Sequence, residues 1–179
     1  YYSIMDRDDL DIKCVDVKWG TTPRNHLNPE VPRHKKLLDS FISPNNIKVQ
    51  PDVYIDIRIP NEFQNPGKFN IGITAGLETT VCPPEWIEGL NRMDLNIVPS
   101  KFTKETLKNM SFDRVDEQSK EKIGELKVNK PIEVLFEGTD TNIFKKVTSY
   151  SDELVEQMKV VEESFNFLYV GHWLQGGLG

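Results

Sequence analysis

Four short apolar runs, separated by helix-sized segments, dominate the pattern of hydrophobic and polar positions along this chain. Residues 53–59 alternate apolar and polar side chains, and the other runs span residues 69–74, 95–98 and 132–136. Short apolar strands that alternate with helical segments are typical of a parallel sheet with helices on both faces. The pattern therefore predicts an α/β fold with a doubly wound parallel sheet.

The remaining segments are predicted from the same periodicities. Helical spacing of apolar residues predicts helices over residues 35–42, 85–91, 101–110 and 152–163. In the third helix, Ser100 is the predicted N-cap, and Phe102, Leu107 and Met110 are predicted to point inward. Further strands are predicted over residues 12–19 and 165–171. The charged segment 111–130, with scattered apolar residues, is predicted to be a surface loop or a frayed helix.

Composition narrows the class of protein without identifying it. The 179 residues carry a net charge of -6, which argues against nucleic acid as a specific partner. No apolar run approaches the roughly 18 residues of a membrane-spanning helix, and acidic residues interrupt the start where a signal peptide would be apolar. Cys14 and Cys82 have no metal-type spacing, so we expect free thiols and a cytoplasmic location.

Small polar residues follow the predicted strands. Ligands of open parallel sheets bind beyond the carboxyl ends of the strands. Thr74, Ser100 and Gly138 come just after three different strands, and Glu78 and Thr79 lie in the loop after the second. These five residues are the candidate cleft residues, although helix capping or turn formation would also explain the hydroxyls and the carboxylate.

Four segments together resemble a known family. They are residues 74–79 (TAGLET), 93–102 (MDLNIVPSKF), 133–140 (EVLFEGTD) and 167–171 (FLYVG). Their order resembles that of retaining glycosyltransferases with the GT-B fold, of the "glycosyl transferases group 1" type. The resemblance extends from about residue 53 to the end of the chain.

The resemblance implies two Rossmann-like domains that face each other across a cleft. The first domain would bind the acceptor and the second a nucleotide-sugar donor. Residues 1–150 would form most of the acceptor domain, with its first strand preceding Tyr1. Residues 151–164 would be a linker helix, and residues 165–179 would begin the donor domain with its first strand. The chain would thus be a segment of a longer polypeptide.

The resemblance also implies the substrates and their site. The donor would be a UDP-, GDP- or ADP-sugar, the acceptor a sugar or other hydroxyl compound, and neither a cofactor nor a metal would be needed. The candidate cleft residues would contact the acceptor. Glycines near the end of the chain would let backbone N–H groups approach the donor phosphates: Gly171, Gly176 and Gly177. The catalytic residues would lie outside these 179 residues, so this chain alone would be inactive.

Two other functions remain open at this point. One is a non-catalytic α/β module that binds a glycan or a nucleotide. The other is a Rossmann-like enzyme of a different kind, such as a sugar-nucleotide epimerase. The chain contains no G-x-G-x-x-G motif, which argues against the second alternative.

Overall fold

The structure is a computed structural model that describes residues 2–16, 27–43, 46–76 and 79–169. It contains both helices and strands, and a 3-10 turn (Pro60–Glu62) connects the third and fourth strands. In chain order the elements are α1 (Tyr2–Met5), β1 (Cys14–Val15), α2 (Pro32–Asp39), β2 (Phe41–Ile42), β3 (Val53–Ile57), β4 (Phe69–Ile73), α3 (Pro84–Arg92), β5 (Leu95–Val98), α4 (Lys101–Asn109), β6 (Phe112–Val115), β7 (Lys122–Leu126), β8 (Ile132–Val134) and α5 (Asp152–Met158).

The chain divides into two units, Tyr1–Glu137 and Gly138–Gly179. The first unit contains every strand of the described residues, and the second contains α5. The predicted end of the first domain at residue 150 lies inside the second unit. The division into an acceptor domain, a linker helix and a donor domain stays a prediction.

A parallel four-stranded sheet forms the centre of the first unit. The strand order is β3-β4-β5-β8, and every neighbouring pair is parallel. The four strands predicted from the apolar runs are confirmed, with bounds that differ by a few residues at most. The chain is therefore an α/β protein built on a parallel sheet.

One face of this sheet carries the hydrophobic core. Val98 and Ile132 are buried on this face, and they belong to one cluster with Ile87 and Leu90 of α3 and Leu107 of α4. Helix α3 forms because its apolar residues recur on one side, which is buried, and α4 buries Thr103 and Leu107. The 3-10 turn extends this layer by packing against α3.

The opposite face of the sheet is open. Val53, Ile55 and Ile57 of β3 are 53%, 45% and 69% exposed. Helices α3 and α4 both pack on the other face, and the doubly wound arrangement stays a prediction. The strands follow one another across the sheet in a single direction, and right-handed crossovers then place all their connections on the same face.

The N-terminal elements form a smaller parallel pair. β1 pairs with β2, and α2 connects them. The described part of the predicted strand 12–19 shortens to Cys14–Val15, and residues 17–19 lie outside the described residues. The helix predicted over residues 35–42, with Pro32 in its first turn, does begin at Pro32, but Phe41 and Ile42 form β2 and not the end of the helix.

The charged segment 111–130 contains a β-hairpin, so the predicted loop or frayed helix is wrong. β6 and β7 pair antiparallel, and the connecting turn contains Lys120 with a φ of 59°. Lys122 pairs with Asp113 across the hairpin at 2.6 Å and with Glu125 of its own strand at 3.0 Å. The partners in such a cross-strand pair lie on different strands, and therefore the local periodicity of the sequence did not predict the hairpin.

Three smaller predictions have mixed outcomes. Leu107 and Met110 are buried as predicted, but Phe102 is 53% exposed and Thr103 is buried in its place. Helix α5 ends at Met158 rather than at residue 163. The described part of the predicted strand 165–171, residues 165–169, forms no strand and is exposed. A strand needs a hydrogen-bonded neighbour, and no neighbour pairs with this segment among the described residues.

Candidate functional site

The carboxyl ends of β4 and β5 bring two of the predicted residues to the same edge of the sheet. Thr74 directly follows β4, and its backbone N–H donates to the carbonyl oxygen of Ile97 at 3.2 Å. Ser100 follows β5 after a single proline and precedes α4. Thr74 is only 5% exposed, so its side chain lies at the inner margin of this edge.

The loop after β4 lies directly on the first turn of α4. Gly76 has a φ of +102°, which favours glycine, and a Cβ built on it would lie 2.7 Å from Thr103 Oγ1. The backbone of the loop thus approaches a hydroxyl that a side chain at residue 76 would displace. Gly76 and Ser100 both contact Thr103, and together with Thr74, which lies at the same edge of the sheet, we call these residues the strand-end cluster.

Ser100 is the N-cap of α4, as predicted. Its Oγ accepts a hydrogen bond from the backbone N–H of Thr103 at 3.0 Å and lies 2.9 Å from Thr103 Oγ1. The cap satisfies a backbone donor that has no partner within the helix. The predicted capping role is therefore confirmed, and the cleft role of Ser100 stays a prediction.

Replacing Ser100 by alanine is expected to lower the free energy of unfolding by about 1 kcal/mol, because α4 loses its cap. Urea denaturation followed by circular dichroism measures the change. Ser100→Asp keeps an acceptor oxygen at the cap and is expected to retain most of the stability. Equal losses in the two variants would contradict a capping role.

The other predicted residues are each described by themselves or lie outside the described residues. Thr79 is exposed, and its Oγ1 donates to the carbonyl oxygen of Val81 at 2.9 Å, which is a turn contact. Gly138 is an exposed residue of the second unit, and a Cβ there would meet nothing within 4 Å. The remaining predicted residues lie outside the described residues: Glu78, Gly171, Gly176 and Gly177.

An ion pair at the end of β3 is the part of this edge that sequence reasoning missed. Arg58 donates to both carboxylate oxygens of Asp56, at 2.7 and 2.6 Å, and the backbone N–H of Gln64 donates to the same carboxylate at 2.8 Å. The two side chains are 15% and 2% exposed. The sequence signal for this ion pair was the polar residues of the alternating run 53–59, because their side chains point to the face of the sheet that the helices cover.

The ion pair at the end of β3 affects the charge of this edge. The hydrogen-bonded carboxylate of Asp56 raises the pKa of Arg58, so the guanidinium stays charged beside its partner. The strand-end cluster contributes hydroxyl groups. Burial raises the pKa of the Cys82 thiol to about 11, so this free cysteine is a protonated core residue.

The described residues contain no group of three or more His, Cys, Asp or Glu side chains that could hold a metal ion. In the same part of the chain, no helix is long and apolar enough to cross a membrane.

Cys14 and Cys82 are both free, which confirms the absence of a disulfide between them. Trp86 packs against the core, in keeping with a structural role.

Comparisons with protein-family models, with curated proteins and with solved structures found no match to this chain. The α/β class therefore rests on the strands and helices described above. The resemblance to GT-B glycosyltransferases stays a prediction.

Proposed function

We propose that this chain belongs to the acceptor-binding half of a metal-independent GT-B glycosyltransferase. The complete enzyme would transfer a hexose-type sugar from a nucleotide sugar to a hydroxyl acceptor, with retention of configuration. In this proposal the parallel sheet is the core of a Rossmann-like domain. The strand-end cluster then lines the cleft where the acceptor binds.

One observation carries the proposal: the strand-end cluster gathers hydroxyl groups at the carboxyl edge of a parallel sheet. Thr74, Ser100 and Thr103 supply hydroxyls there, and the one buried ion pair nearby is internally neutralised. Neutral, hydroxyl-rich ligands such as sugars are recognised by hydrogen bonds of this kind. A neutral edge also avoids the desolvation of an unpaired charge when such a ligand displaces water.

The acceptor side of such an enzyme needs to orient a hydroxyl without holding the leaving group. Orientation alone lowers the barrier to transfer, because the reacting atoms no longer lose translational freedom in the reaction. The charge of the departing nucleoside diphosphate would be stabilised from the donor side. Residues 1–179 are therefore expected to show no transfer from any nucleotide sugar.

Calorimetry separates this proposal from its alternatives. The polypeptide expressed from its complete reading frame is titrated with UDP, GDP and ADP, each with and without EDTA. We expect one of the three to bind, with an affinity that EDTA leaves unchanged. The same titration with residues 1–179 is expected to show little or no binding. If none binds, or if binding needs a divalent metal, the proposal gives way to a non-catalytic glycan- or nucleotide-binding module.

A matched pair of variants tests the strand-end cluster itself. Saturation-transfer NMR of residues 1–179 with the methyl glycosides of glucose, mannose and galactose reports weak sugar binding. Thr74→Val removes one hydroxyl at nearly constant volume and is expected to weaken binding about fivefold. Thr79→Val removes a hydroxyl from the exposed turn and is expected to change nothing. Equal effects of the two variants would place the sugar elsewhere.

A further inference from the structure

We draw no further inference here: the strongest candidate, the open apolar face of the sheet where Val53, Ile55 and Ile57 of β3 lie beside Phe69 of β4, carries none, because nothing in the structure shows what covers it.

Discussion

Replacing Gly89 by alanine is expected to lower the free energy of unfolding by about 3 kcal/mol. A Cβ at this position would lie 1.8 Å from the carbonyl oxygen of Pro60 and 2.3 Å from its carbonyl carbon. Both atoms are backbone, so no side-chain rotation can relieve the contact. α3 would have to move away from the 3-10 turn. Arg92 resists that movement, because it donates to the carbonyl of Asn61 at 2.8 Å.

Urea denaturation of the chain measures this loss, and a second glycine provides the matched control. A Cβ at Gly124 would meet nothing within 4 Å, so Gly124→Ala is expected to change stability little. In Gly89→Ala, the higher helix propensity of alanine offsets at most about 1 kcal/mol of the loss. An unchanged unfolding midpoint for Gly89→Ala would show that α3 does not approach Pro60 this closely.

Replacing Asp56 by alanine is expected to cost about 3–5 kcal/mol of stability. The substitution leaves Arg58 as a largely buried charge without its carboxylate partner, and it leaves the N–H of Gln64 without an acceptor. Desolvation of an uncompensated charge accounts for most of the expected loss. The lost attraction between the two groups contributes less.

A double-mutant cycle separates these two effects. Asp56→Ala combined with Arg58→Met removes both charges, and it is expected to be more stable than Asp56→Ala alone. Lys68→Ala serves as the exposed control. It breaks the exposed ion pair with Asp52 just before the same strand, and it is expected to change stability little. A loss in Asp56→Ala no larger than that of the control would contradict the buried pair.

The strands of the central sheet were predictable because their signal is local. A buried strand is rich in apolar residues, and the run from Leu95 to Val98 shows this at three of its four positions without any knowledge of its neighbours. The cap at Ser100 was predictable for the same reason, since a cap and the N–H that it accepts lie within one turn. At the site, Thr74 and Ser100 were found from their positions after strands.

Other parts of the site depend on partners that are far away in sequence. Phe102 was expected to be buried and Thr103 was not considered, because the phase of α4 is set by the contact of Thr103 with Gly76. The sequence showed Asp56 and Arg58 only as polar residues in an alternating strand. Its burial depends on the loop that brings Gln64 over the carboxylate.

By itself, the sequence determined that this protein is an α/β protein with a parallel sheet, and it located the ends of the four central strands. Both conclusions come from the periodicity of apolar residues, because burial of one or both faces of a strand determines which of its positions are apolar. Only the tertiary structure decided that one face of the sheet is covered, that β6 and β7 pair, and that Gly89 touches Pro60. Each of these features is a contact between segments that are separate in sequence. The pattern along one segment does not show which other segment it will contact.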